Sequence, residues 1–173
     1  WGVPFFTEDK NEDFYNTFEK EILTPPFYLP LFPFNIACGI LESGDALAED
    51  GVKRWIDVSS CGFKPNENML VVHAKGDSMK PKIHDGDLCV FERYSGGSRE
   101  GEIVLAQISG QDDDYLCRYT IKKYHSEKTI SEDSWEHRKI ELIPINTDGY
   151  RPIVLDDVEN YRVLGLLRHV ISD

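Results

Sequence analysis

The sequence predicts a mostly β fold, an antiparallel folded or barrel-like sheet preceded by an N-terminal arm. Three observations predict it. From about residue 52 onward, short runs rich in Val, Ile and aromatics alternate with Gly, Asp and Asn turns, the pattern of strands joined by tight loops. Before residue 35 the pattern changes to one helical stripe and then an extended apolar stretch. The chain has 173 residues, 40% of them apolar and 12% aromatic, enough for one packed domain and an appendage.

In the arm, Phe14, Phe18 and Ile22 recur every four residues, flanked by Tyr15 and Leu23. That spacing predicts an amphipathic helix over 11–23, with Asn11 as its cap and Glu12 and Asp13 in its first turn. Thr24-Pro25-Pro26 ends it, because proline lacks an amide proton and biases its predecessor away from helix. The following Phe27–Phe34 stretch reads as extended and groove-bound, either simple packing or a hinge that delivers the next segment to a site. The predicted strands are Arg54–Val58, Met69–Ala74, Leu88–Glu92, Ile103–Ile108, Tyr115–His125, Lys139–Pro144 and Tyr161–Val170. Gln111–Asp114 reads as a hairpin loop and the polar Ser126–His137 as a long loop, with Trp135 tucked against the sheet. The domains are then 1–38, the arm with its helix and extended stretch, and 39–173, the β domain.

Composition excludes several functions. Nineteen basic residues face 31 acidic ones, for a formal charge of −12, so the surface field would repel a polyanion and direct DNA binding by this chain is not expected. No run is long and apolar enough for a membrane span, and no signal-peptide pattern opens the chain. Trp1 in place of Met suits a piece of something longer. Cys38, Cys61, Cys89 and Cys117 are irregularly spaced with no CxxC pair, and the five histidines show no ligand spacing, so neither a metal nor a cofactor is expected. Reduced thiols fit a cytoplasmic protein.

The densest chemical signal is Gly76-Asp77-Ser78-Met79-Lys80-Pro81-Lys82-Ile83-His84-Asp85-Gly86-Asp87. A serine at a strand end beside a glycine sits on a sharp turn that exposes its hydroxyl and the neighbouring amides, and such amides can hold an oxyanion. Taken alone, a serine in a turn is usually only a turn residue. A nucleophilic serine also needs a base. Thr120-Ile121-Lys122-Lys123-Tyr124 reads as a strand that puts Thr120, Lys122 and Tyr124 on one face and Ile121 and Lys123 on the other. Lys122 could serve only if burial lowers its pKa by roughly 3 units, about 4 kcal/mol against its charged form. Otherwise the pair is two solvated lysines. His73 and His84 lie near Ser78 in sequence and leave a Ser–His arrangement open.

The string GDSM followed by P-x-I-x-D-G-D resembles the nucleophile motif of the LexA/UmuD-type self-cleaving serine peptidases. The resemblance extends to Phe63-Lys64-Pro65-Asn66, to Gly101–Ala106, to Glu141–Asn146 with Tyr150–Val154, and to the closing Tyr161–Val170, covering about residues 30–173. It implies Ser78 as nucleophile and Lys122 as general base. Gly76, Asp77 and Met79 would form the nucleophile turn, with Met79 as its buried anchor. Ile36-Ala37-Cys38-Gly39 resembles the family's cleavage segment, so the implied substrate is the chain's own Cys38–Gly39 bond, with a plain linker kink as the alternative.

Three features depart from the pattern. No proline follows Gly39, the 126–137 stretch is an insertion, and no helix-turn-helix precedes the domain, which places the chain nearer the UmuD plan. The family implies a homodimer through the Val163–Ile171 run. It also implies a switch in a stress or DNA-damage (SOS-like) response, with transcription regulation downstream and a recombinase filament, a polymerase or another protein as partner. The alternatives are a regulatory peptidase cut from a larger nucleic-acid-processing or defence protein, or a dimerisation module that kept the fold.

Overall fold

Strands satisfy their backbone N–H and C=O groups by pairing edge to edge, and here they do so in a single sheet whose apolar faces pack against other parts of the chain. The computed structural model describes residues 27–43, 52–109, 118–130, 135–155 and 161–172. In chain order these hold β1 (Tyr28–Leu31), α1 (Phe34–Ser43), β2 (Arg54–Asp57), a 3-10 turn (Ser59–Cys61), β3 (Met69–His73), β4 (Leu88–Arg93), β5 (Ile103–Ile108), β6 (Arg118–Ile130), β7 (Trp135–Ile143), β8 (Ile153–Leu155) and β9 (Tyr161–Ile171). Among the described residues the sheet order is β2-β1-β3-β4-β9-β5-β6-β7-β8. Every pairing is antiparallel except β1 with β3, where Leu31 lies beside Val71 in parallel register. The fold is mostly β, as the sequence predicts, but the sheet stays open and mixed instead of closing as a barrel.

Helix α1 covers the sheet. Ala37, Cys38 and Leu41 are buried in one cluster with Leu70 and Val72 of β3, Phe91 of β4, Leu105 of β5 and Leu164 of β9. Met79 and Ile83, from the loop after β3, belong to the same cluster. The helix and the serine loop therefore share one core. Gly165 of β9 marks the closest approach: a Cβ there would stand 3.1 Å from the Glu92 carbonyl oxygen and 3.5 Å from the Leu41 side chain. A second cluster on β5, β6, β7 and β9 centres on the buried Tyr124 with Val104, Ile140, Leu142 and Val163.

Three expectations need correcting. The stretch 126–137 is not a loop: β6 and β7 pair from Lys123–Ile143 out to Ile130–Trp135. Its polarity suggested a loop, but the hydrogen-bond ladder passes through the buried Tyr124–Leu142 pair and continues outward regardless of side-chain character. Glu100 also braces it, accepting from the Ser126 amide at 2.8 Å. Residues 28–31 are not a groove-bound arm but a strand inside the sheet, between β2 and β3. The segment 36–39 is not a linker kink but lies within α1. The expected helix over 11–23, the hairpin loop 111–114 and Cys117 fall outside the described residues.

The apolar Val163–Ile171 run is an inner strand whose edges are taken by β4 and β5. Val163, Leu164 and Leu166 are buried, and part-exposed side chains begin only at Leu167.

Gly165→Ala should test the packing of β9 against β4. The added methyl overpacks against the Glu92 carbonyl, and denaturant unfolding should register a loss of about 1–3 kcal/mol. An unchanged midpoint would mean that the β4 backbone yields to the methyl.

Candidate active site

The loop between β3 and β4 carries Ser78, and its own sequence closes it. Ala74 donates to the Asp87 carbonyl at 2.8 Å and Gly86 donates back to the Ala74 carbonyl at 2.9 Å. Gly76, at φ +85°, turns where a side chain would strain the backbone, and its amide donates to Asp85 Oδ1 at 2.7 Å. Met79 is buried and accepts from the Lys82 and Ile83 amides at 3.0 Å each, making one tight turn after the serine. Asp77 is not part of the core; it pairs with Lys80 at 3.0 Å on the surface.

Lys122 arrives from β6. Pairing with β7 begins at Lys123, so the outer edge of β6 is uncovered at residues 119–122. Lys123 is exposed, whereas Lys122 is half-buried and curls towards the serine. Its Nζ lies 2.8 Å from Ser78 Oγ, 2.9 Å from Thr120 Oγ1 and 3.0 Å from the Ile121 carbonyl oxygen. Among the described residues no carboxylate pairs with it. Burial alone holds its pKa below the usual lysine range.

That set of three partners matters chemically. A neutral amine has two N–H donors and one lone pair. Thr120 Oγ1 and the Ile121 carbonyl accept the two protons, which leaves the lone pair facing the serine hydroxyl. Neither histidine takes this role. His73 Nδ1 is 3.1 Å from the Gly86 carbonyl and His84 pairs with Asp87, and neither bonds Ser78.

Ser78 and Lys122 open into a cleft of about 600 Å³ lined also by Phe34, Asn35, His73, Met79 and Tyr119. Phe34 and Asn35 are the first turn of α1, so the helix that contains Ala37, Cys38 and Gly39 starts at the cleft. Cys38 is 0% exposed, and burial beside Glu42 pushes its thiol up to about 12. Cys89, also buried, is raised likewise to about 12. Neither is a thiolate nucleophile near neutral pH.

A family model described as Peptidase S24-like matches residues 30–168. The chain belongs to this family. It is the family of the LexA- and UmuD-type proteins, and serine peptidase activity is what membership supports. Comparison with curated proteins found no match. Among the described residues of this S24-like protein no helix is long and apolar enough to cross a membrane, and no cluster of His, Cys, Asp and Glu could hold a metal.

Sequence reasoning missed one contributor. Asn146, in the segment leaving β7, donates from its backbone to the Ser78 carbonyl and from its side chain to the Asp77 carbonyl, both at 3.0 Å. The only signal was its place in the Pro144-Ile145-Asn146 stretch.

Lys122 should also be visible in stability. With its folded pKa depressed, the unfolded chain binds more protons between that value and 10.5, so stability gains as pH rises through this window. Below it the penalty is complete. Lys122→Met should therefore exceed wild type in stability near neutral pH, and the excess should shrink as pH approaches 10.5. A constant difference across that range would mean the amine titrates as an ordinary lysine.

Proposed function

We propose that this S24-like protein is a self-cleaving serine peptidase in which Ser78 is the nucleophile, Lys122 its general base and the Cys38–Gly39 bond the substrate. The observation that carries the reading is the 2.8 Å separation of Lys122 Nζ and Ser78 Oγ in a site where burial disfavours the ammonium. Neutral Lys122 takes the Ser78 proton as Oγ attacks the Cys38 carbonyl carbon. The C–N bond then breaks, and Lys122 returns the proton to the departing Gly39 amine. Lys122 then takes a proton from a water that attacks the acyl carbon, and returns it to Ser78 Oγ as the ester bond breaks and the new carboxyl end at Cys38 leaves.

The bond is not delivered in the described conformation. Cys38 is buried mid-helix, and its peptide must unwind to reach Ser78. Two features favour such unwinding. Asn35, at the helix start, already lines the cleft. Gly39 occupies a helix interior, where glycine is about 1 kcal/mol worse than alanine, although nothing lies within 4 Å of a Cβ placed there. Packing gives no reason for that glycine; a helix that has to open does. Because the substrate is tethered, the attack is effectively unimolecular once the segment is free. We assign the protein on this basis to a switch in a stress or DNA-damage response, where cutting changes which partner the remaining domain meets. Leu167–Ile171, the part-exposed end of β9, is the surface left for a homodimer.

The buried, helical state of Cys38 favours one competing reading: the dyad acts on a segment from elsewhere, as in a regulatory peptidase module of a larger protein.

Intact mass and N-terminal sequencing after incubation at rising pH separate the two. Wild type should yield a fragment beginning at Gly39, faster at higher pH, while Ser78→Ala and Lys122→Ala stay whole. Gly39→Ala, which clashes with nothing, should slow cleavage about fivefold by stabilising the helix by about 1 kcal/mol. A fragment with any other start would give the substrate role to another segment, and cleavage by Lys122→Ala at the wild-type rate would remove the lysine from the mechanism.

A further inference from the structure

An acyl-transfer site must hold the negative oxygen that forms as the serine attacks, and backbone amides do this only if something turns them towards the cleft. We infer that Asn146 is the residue that turns them: it is a positioning residue for the oxyanion donors of the Ser78 site. The inference rests on the reading of Ser78 as the nucleophile.

The geometry follows from the planarity of the peptide bond. In a trans peptide the C=O of one residue and the N–H of the next point in opposite directions. The Asp77 carbonyl accepts from Asn146 Nδ2 at 3.0 Å and from the Lys80 amide at 3.2 Å, the shorter bond being that of Asn146, so the Ser78 N–H points away from Asn146. The Ser78 carbonyl accepts from the Asn146 backbone amide, also at 3.0 Å, so the Met79 N–H points away as well. Asn146 lies behind the turn and is not among the residues lining the cleft, whereas Ser78 and Met79 both line it. Among the described residues neither the Ser78 amide nor the Met79 amide has a hydrogen-bond acceptor. Two consecutive donors next to the nucleophile are thus aimed at the cleft and left open.

The side chain of Asn146 is itself fixed. Its Oδ1 accepts from the Asp148 amide at 3.0 Å, which leaves Nδ2 as the end facing Asp77. The amide orientation is therefore set by two independent partners. This gives a nearly isosteric test. In Asn146→Asp the carboxylate still accepts from Asp148 and the backbone bond to Ser78 remains. The donor to the Asp77 carbonyl is replaced by an oxygen that repels it, and the peptide carrying the Ser78 N–H is left with the longer bond from the Lys80 amide as its only hold.

The experiment measures self-cleavage rate against pH for wild type, Asn146→Asp and Asn146→Ala, with thermal melting alongside. A second probe is a peptide boronate carrying residues 34–37 followed by boroalanine, whose tetrahedral adduct on Ser78 places an oxygen where the oxyanion forms. Both variants should melt within a few degrees of wild type and keep the pH midpoint set by Lys122. Their plateau rate should fall about 10- to 100-fold, less than the roughly 100- to 1000-fold loss when an oxyanion donor is removed outright because here the donor is only loosened, and boronate affinity should fall in parallel. Wild-type rates and boronate affinity in Asn146→Asp would overturn the inference while leaving the dyad intact. A shifted pH midpoint would overturn it too, by placing Asn146 on the base. Failure of the underlying reading looks different: Ser78→Ala would still cleave, or wild type would neither cleave nor bind the boronate.

Discussion

A lysine amine 2.8 Å from a serine hydroxyl, with no carboxylate beside it among the described residues, is the constraint around which the rest of this molecule is arranged. An exposed lysine would remain an ammonium and hold the serine proton in place. Here the sheet supplies the remedy. β5 holds β6 in register through residues 118–123, and β7 joins β6 only from Lys123, so the lysine side chain is free to fold over the bare edge towards the loop after β3. The chain leaving β7 then passes beneath that loop and ties Asn146 to Ser78 and Asp77. Nucleophile, base and loop support therefore depend on where a single strand pairing stops.

The second constraint is competition for the segment around Cys38. As a helix it buries Ala37, Cys38 and Leu41, and a fully buried leucine-sized side chain is worth about 1.5–3 kcal/mol. Further contacts hold its last turn: Arg93 Nη2 donates to the Ile40 carbonyl at 3.1 Å, and Glu42 accepts from Gln107 Nε2 at 3.3 Å and from the Tyr119 hydroxyl at 3.5 Å. Gly39 opposes them. The helix is thus strong at its C-terminal end and weak at its centre, one residue past the buried cysteine. Opening from the cleft end would keep the Arg93 and Glu42 contacts and release the first turn, where Asn35 and Ile36 are already exposed.

Much of this was legible in the sequence because the determinants are local. The serine loop is written in glycine, proline and aspartate at fixed spacing, and the strands from Met69 to Ile108 are short apolar runs bounded by turn residues. What was not legible depends on distant partners. The α1 segment has no cap residue and a glycine in its middle, so local propensity argues against a helix; the cluster of Phe91, Leu105 and Leu164 overrides it. β1 is a strand only because β2 and β3 offer their edges on either side. The outer half of the β6–β7 hairpin carries loop-like composition on a ladder anchored by the buried Tyr124 and Leu142. Asn146 is one asparagine among several until the fold brings it under residue 78.

The choice of lysine over histidine follows from the same architecture. His73 ends β3, and its ring sits against the carbonyl of Gly86, where it helps close the base of the serine loop. His84 is drawn to Asp87 at the other side of that loop. Either ring would have to give up a contact that holds the loop in order to reach Ser78. Lys122 gives up nothing, because it comes from a separate strand and its remaining bonds, to Thr120 and to the carbonyl of Ile121, are local to β6. Those local bonds also fix the direction of its lone pair. A base mounted on the sheet and a nucleophile mounted on the loop can then be stabilised independently, and the short distance between them is kept by the core that Met79 and Ile83 share with Ile121.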